Sequence, residues 1–71
     1  MITAEQLDNW FTYHAPTSDQ QVAYAKLRSS ALDFARAINE LVPDSADKTA
    51  AIRKVREAVM TANAAIACGG K

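Results

Sequence analysis

The fold is decided by residues 27–66, which read LRSSALDFARAINELVPDSADKTAAIRKVREAVMTANAAI. In the first half of this stretch, apolar residues recur at alternating spacings of four and three, at Leu27, Ala31, Phe34, Ile38 and Leu41. In the second half they recur at spacings of three and four, at Ile52, Val55, Val59, Ala62 and Ile66. Such spacing places apolar side chains on one face of an α-helix. Because only a short turn at residues 43–45 separates the two stripes, the sequence predicts an antiparallel helical hairpin.

Capping signals give the boundaries of the two hairpin helices. Thr17 begins a capping-box pattern, so the first hairpin helix is predicted over residues 17–42, before the helix-breaking Pro43. Asp44 or Ser45 can cap the second helix, which is predicted over residues 45–68. The glycine pair that follows, Gly69-Gly70, is typical of a helix end.

A short segment precedes the hairpin. Thr3 and Gln6 have the capping-box spacing, which predicts a helix from about residue 4 to residue 10. Pro16 disfavours helical geometry at Ala15 and therefore separates this helix from the hairpin. The sequence thus predicts one all-α domain over residues 1–71, in which residues 1–16 hold the N-terminal helix and an aromatic segment.

The second hairpin helix has a wider apolar face than one partner helix can cover. Ala51, Ala58 and Ala65 lie seven apart beside its stripe and widen the apolar arc to roughly 140°. Chains below about 70–80 residues usually need disulfides, metals or oligomerisation for stability, and the single cysteine, Cys68, excludes an internal disulfide. We therefore expect a dimer-based oligomer. The alternative is that alanine occurs here only as a good helix former.

The overall composition narrows the possible partners. Eight basic and eight acidic residues cancel, so the chain has no general attraction for duplex nucleic acid. It lacks an apolar run of about 18 residues, and a membrane span is therefore not expected. The first residues lack the basic start of a secretion signal, which together with the free cysteine predicts a cytoplasmic protein.

The sequence shows no arrangement of residues typical of catalysis or of metal and cofactor binding. Its one histidine and one cysteine are far apart, so a structural zinc site is not expected. It has no glycine-rich phosphate loop, no paired-carboxylate motif and no Ser/His/Asp arrangement. Binding without catalysis is therefore the favoured class of function.

The aromatic segment, residues 11–16, is the first candidate binding feature. Phe11, Tyr13 and His14 place three rings within four positions, directly after Trp10. Such rings can form a stacking surface for flat ligands, because every nucleobase has a π-face. Alternatively, they are a hydrophobic plug that packs the N-terminal segment onto the core.

The hairpin helices offer further polar candidates. Lys26 lies at one edge of the first apolar stripe, and Arg28, one turn after Tyr24, lies at the opposite edge. Arg56 and Asn63 flank the second stripe together, seven residues apart. Cations can bind phosphate, and an asparagine amide can pair with a base edge. For each of these residues the alternative is an ordinary position on a solvated helix face.

Two motifs together resemble a known family. Residues 11–17, FTYHAPT, followed by Tyr24 and Arg28, and residues 56–67, REAVMTANAAIA, resemble the small phage anti-CBASS sponge proteins. These proteins belong to a hairpin-domain family that also includes sponges acting against Thoeris signalling. The resemblance covers about residues 10–68, nearly the whole chain.

The resemblance implies a function and an assembly. Such proteins act in the cytoplasm of the infected bacterial host and form hexamers of helical hairpins. They bind cyclic dinucleotides, such as cyclic GMP-AMP, and in some members cyclic trinucleotides at a separate site, without cleaving them. The host's immune messenger is thereby kept from its effector.

The resemblance also implies site residues. Relatives contact the dinucleotide through aromatic residues of the F-x-Y-H motif and through a lysine or arginine early in the long helix. In this chain these are Phe11 or Tyr13, with His14, and Lys26 or Arg28. A second nucleotide site would use residues that the same motifs supply, namely Thr12, Arg56 and Asn63.

The chain departs from the family pattern at two positions, and one of them bears on trinucleotide binding. Cys68 stands where many relatives have an arginine, and Thr61 stands where they often have a tryptophan. If that arginine serves the trinucleotide site, this chain is expected to bind trinucleotides weakly or differently. Two other functions remain open from the residues: an oligomeric adaptor that binds a partner protein through the alanine-rich face, and, less favoured, a phosphodiesterase.

Overall fold

The computed structural model describes residues 1–71 and contains three helices and no strand. Helix α1 spans Ala4–Trp10, helix α2 spans Ser18–Leu41 and helix α3 spans Ala46–Ala67. The all-helical fold predicted from the sequence is thereby confirmed. The two hairpin helices are each one residue shorter at both ends than the predicted ranges, because Thr17, Val42, Ser45 and Cys68 are capping residues.

Side chains at the first turn of each helix satisfy amide groups that have no partner within the helix. The backbone amide of Gln20 donates to Thr17 Oγ1 at 3.2 Å, and the backbone amide of Thr17 donates to Gln20 Oε1 at 2.9 Å. Thr3 and Gln6 make the same reciprocal pair at the start of α1. Of the two candidate caps for α3, Ser45 is the one used, since its Oγ accepts from the Lys48 amide at 3.1 Å.

Helix α3 ends through its two glycines. Gly69 and Gly70 both have positive φ, 65° and 76°, a conformation that glycine adopts without steric cost. The Gly70 amide donates to the carbonyl of Ala65 at 2.8 Å, and the Gly69 amide donates to the carbonyl of Ile66 at 3.2 Å. These two bonds form a Schellman motif and satisfy carbonyls of the last helical turn.

Helices α2 and α3 form the hairpin and are the only pair of helices in extensive contact. All five stripe residues of α3 are half-buried, as are Leu27, Ala31 and Ile38 of α2. The other two members of the α2 stripe, Phe34 and Leu41, are 60% and 81% exposed. The stripe of α2 is thus only partly covered by α3.

The chain has no interior of its own. None of its 71 residues is buried from solvent, and its shortest dimension is 14 Å, little more than the diameter of one helix, about 10 Å. Folded domains usually pack two layers of secondary structure around a core. The single layer seen here leaves one apolar side of the hairpin without a partner in the same chain. None of the helices combines the length and the apolar character that crossing a membrane requires.

Candidate functional site

The rings of the aromatic segment are largely free of contacts. Phe11 and Tyr13 are each 85% exposed. Neither ring lines any of the grooves on the surface of the single chain. The alternative in which these two rings plug the core is therefore not what the isolated chain adopts. Both rings present their faces to solvent, where a flat ligand or another chain can stack on them.

The end of α1 fixes the backbone that carries these rings. Phe11 is the C-cap of α1, and its amide donates to the carbonyl of Leu7 at 3.1 Å. The hydroxyl of Thr12 donates to the carbonyl of Asp8. The aromatic segment thus starts from a defined helix end, and the Thr12 proton is used inside the chain.

His14 is half-buried and is held by α1. Its Nε2 lies 2.7 Å from the carbonyl oxygen of Asn9. Because a carbonyl oxygen can only accept a hydrogen bond, Nε2 carries the proton in this contact. In the neutral ring the free atom is then Nδ1, an acceptor, and this is the atom that His14 could offer to a ligand.

The cations predicted from the sequence lie at different places on the hairpin. Lys26 and Arg28 are both exposed, and neither forms an ion pair. Lys26 lines none of the surface grooves, whereas Arg28 lines a groove of about 280 Å³ between α2 and α3. We call this the arginine groove; its lining includes Arg28, Leu32 and Ala35 of α2 and Ile52, Arg56 and Met60 of α3.

The arginine groove brings together two residues that the sequence assigned to separate sites. Arg28 and Arg56 line it from opposite helices, and no carboxylate is paired with either guanidinium. Arginine presents planar donors that match phosphate oxygens. Two unpaired guanidinium groups beside an apolar floor are suited to a ligand that has both anionic and flat apolar parts.

Asn63 is the one side chain with a shielded polar atom that lacks a hydrogen-bond partner. Its Oδ1 is shielded from solvent and has no hydrogen-bond partner in the chain. A shielded acceptor without a donor costs about 1–3 kcal/mol, so a side-chain rotation that brings Oδ1 to a donor on a ligand would remove this cost. Since Asn63 lies two helical turns after Arg56, it faces the same side of α3 as the arginine groove.

The opposite side of the hairpin has a larger and almost wholly apolar groove. This central groove has a volume of about 630 Å³. Its lining includes Leu27, Phe34 and Ile38 of α2 and Ala51, Val55 and Ala58 of α3. Two of the three alanines predicted to admit another helix therefore lie in it, whereas Ala65 lines two smaller neighbouring grooves.

The single chain does not assemble the whole set of predicted dinucleotide contacts. No groove is lined by Phe11 or Tyr13 together with Lys26 or Arg28. The structure also has no group of three His, Cys, Asp or Glu side chains that could hold a metal ion.

Two residues that position these elements were not found from the sequence. Asn9 Nδ2 donates to the carbonyl of Cys68 at 3.1 Å, and Gln20 Nε2 donates to the carbonyl of Ile66 at 3.2 Å. Both bonds tie an early segment to the end of α3. Gln20 carried a capping signal and Asn9 carried none, and neither residue type indicates a partner 46 or 59 positions away.

Comparison with known proteins gives one family. The model of the Acb2/Tad1 hairpin domain matches residues 3–67. The match begins at the cap of α1 and ends at the last residue of α3, so it includes all three helices. No curated protein and no solved structure matches the chain.

Proposed function

The chain belongs to the Acb2/Tad1 hairpin-domain family, the family of anti-CBASS and anti-Thoeris sponges, and we propose that it binds and sequesters cyclic di- and trinucleotide messengers of CBASS defence without degrading them. The family match across residues 3–67 is the observation that carries this proposal. The family is one of messenger-binding sponges and not of known enzymes. The protein would act in the cytoplasm of a bacterial host during phage infection.

The dinucleotide site is proposed to combine rings and cations from different copies of the chain. Phe11 and Tyr13 supply exposed faces for the two bases, with His14 beside them, and Lys26 or Arg28 supplies a phosphate contact. A cyclic dinucleotide has approximate two-fold symmetry, and a two-fold interface offers each ring and each cation twice. The lack of a groove lined by both the rings and the cations in the single chain supports this arrangement.

The second nucleotide site is proposed around Thr12, Arg56 and Asn63. The unpaired Arg56 guanidinium and the unsatisfied Asn63 Oδ1 support it, because an anionic ligand with exocyclic amino groups can meet both. If Arg28 rather than Lys26 contacts the dinucleotide, the groove that Arg28 shares with Arg56 supports two adjoining sites. A ligand at one would then alter the electrostatic field at the other.

Sequestration is a matter of mass action. A sponge lowers free messenger only when its sites outnumber the messenger and bind it more tightly than the effector does. Hydrolysis of a phosphodiester would need an activated nucleophile and stabilisation of the developing charge, which enzymes often supply with metal ions. We propose binding alone, with no residue of this chain acting as a nucleophile or a metal ligand.

The proposal is tested by ligand recovery. The protein is mixed with a panel of cyclic di- and trinucleotides, and its melting temperature is followed for each. Ligands that raise it are then released by heat or protease and analysed by chromatography. We expect intact messenger that again activates its effector. Product that accumulates with time, and that His14→Ala abolishes, would indicate an enzyme instead.

One observation favours a second candidate function. The central groove, about 630 Å³ and almost entirely apolar, is suited to the apolar face of an amphipathic helix. An oligomeric adaptor that binds a partner protein there would show no melting shift with any cyclic nucleotide. The same panel therefore separates the two functions.

A further inference from the structure

Asn9, in the last turn of α1, joins the aromatic segment to the end of α3. Its side-chain Nδ2 donates to the carbonyl of Cys68 at 3.1 Å. Its backbone carbonyl accepts from His14 Nε2 at 2.7 Å and, more weakly, from the thiol of Cys68 at 3.8 Å. Asn9 thus contacts His14 of the aromatic segment and also Cys68, the C-cap of α3.

Apart from the partly buried Trp10, few other interactions fix the position of α1. The helix has seven residues, and isolated helices shorter than about 12–15 residues are marginal in water. It makes no extensive contact with either hairpin helix. Since Phe11 and Tyr13 are each 85% exposed, packing does not hold their rings, and their position follows that of the end of α1. Trp10 and the bond from Asn9 to Cys68 join that end to α3.

We propose that Asn9 is a positioning residue that holds Phe11 and Tyr13 in place for the ligand without touching the ligand itself. This inference rests on the proposed function, because it takes the two exposed rings as the ligand-binding surface. The amide is required for its donor as well as its size. A carboxylate at this position would have no proton to donate and would face the negative end of the α3 dipole.

The ligand-free test uses Trp10, the only tryptophan of the chain. Trp10 is 43% exposed and lines a groove with Cys68 and Gly70 at the end of α3. In Asn9→Ala and Asn9→Asp we expect its emission to shift to longer wavelength and its quenching by acrylamide to increase. Exchange of the Leu7 and Phe11 amides, which donate to carbonyls at the start of α1 and within it, should accelerate, whereas the amides of α2 and α3 should keep their protection.

The matched control is Asn39→Ala. Asn39 is an exposed asparagine of α2 whose side chain makes no hydrogen bond, so the same substitution there should leave Trp10 emission and exchange of the Leu7 and Phe11 amides unchanged. An unchanged Trp10 environment in both Asn9 variants would overturn the inference.

The ligand test measures whether binding depends on the bond from Asn9 to Cys68. With the cyclic dinucleotide that gives the largest melting shift, we expect Asn9→Ala to bind about three- to tenfold more weakly than wild type, the loss of one net hydrogen bond. Asn39→Ala should bind as wild type does. The positioning role would be overturned if Asn9→Ala changes Trp10 emission and amide exchange in α1 but binds the dinucleotide with unchanged affinity. If the wild-type chain binds no cyclic nucleotide, the proposed function fails first, and the connection between α1 and α3 is then decided by the ligand-free measurements.

Discussion

The most exposed rings of the chain, Phe11 and Tyr13, are the residues on which ligand binding is expected to depend. Tyr13→Ala should weaken binding of a cyclic dinucleotide by about 1–3 kcal/mol for each base that loses its stacking partner. The measurement is titration calorimetry on wild type and variant. Tyr13→Phe is the matched control, since it keeps the ring and removes only the hydroxyl. If Tyr13→Ala and the corresponding changes at Phe11, Lys26 and Arg28 all leave affinity unchanged, the dinucleotide site lies elsewhere.

The chain's one ion pair gives a prediction that concerns pH. Lys48 Nζ donates to Asp44 Oδ1 at 2.9 Å, and this hydrogen bond, together with the charge of Lys48, holds the pKa of Asp44 below its usual value. A lowered folded-state pKa means that the pair stabilises the fold above the unfolded-state pKa. That contribution is lost as the pH falls through the folded-state pKa. Because Asp44 is 99% exposed, the effect on stability should be small.

The measurement for this pair is an NMR titration of the Asp44 carboxyl carbon. We expect a lower midpoint in the wild type than in Lys48→Met, which keeps an apolar stem and removes the charge. Equal midpoints would mean that solvent separates the two groups.

At the scale of the elements, Gln20 has two roles in one side chain. Its Oε1 completes the cap of α2, and its Nε2 donates to the carbonyl of Ile66 at the end of α3. Gln20→Glu keeps the capping oxygen but loses the donor and places a carboxylate near the negative end of α3. We expect the free energy of unfolding to fall by about 0.5–1.5 kcal/mol, measured by urea denaturation.

Gln6→Glu is the control for this substitution. Gln6 completes the same kind of capping box in α1, and its Nε2 makes no hydrogen bond. The same change there should therefore leave stability nearly unchanged. Equal losses at Gln6 and Gln20 would show that the bond to Ile66 contributes nothing.

The helices could be predicted from the sequence because their signals are local. Both capping boxes lie within four residues, and the glycine pair after α3 needs only its own backbone geometry. The hairpin followed from two stripes and a turn. The positions of Phe34 and Leu41 could not be predicted, because spacing alone does not tell which stripe residues the partner helix reaches.

The candidate site was less predictable than the fold. The sequence marked the rings and the cations, but it placed Arg28 and Arg56 in separate sites, whereas the structure places them in one groove. That pairing depends on the register between α2 and α3, which the local pattern does not specify. The bond between Asn9 and Cys68 spans 59 positions and has no periodic signal at all.

At the scale of the whole molecule, the unfilled central groove predicts assembly. Light scattering should give a mass well above 7.7 kDa, most simply a multiple of a dimer, because the family resemblance implies a hexamer. Ala58 lines the groove and is exposed in the single chain, so Ala58→Phe leaves the hairpin itself unstrained. It should weaken assembly through overpacking by about 1–3 kcal/mol, observed as a smaller mass with unchanged helix content.

Ala25→Phe is the control for assembly. Ala25 is an exposed residue of α2 that lines none of the grooves, so the added ring should leave the mass unchanged. A monomer in the wild type at micromolar concentration would contradict both the assembly and a ligand site shared between copies.

Because no residue is buried in the single chain, the stability and the binding capacity of the protein should depend on its concentration. If apolar surface is covered only when copies meet, association stabilises the fold, and the melting temperature rises with protein concentration. Where a site is completed by two chains, the number of complete sites at low concentration grows with the square of the amount synthesised. At low synthesis the captured share of the messenger would therefore rise more steeply than the number of chains. We therefore expect protection of an infecting phage to rise with expression more steeply than in proportion to the number of chains made.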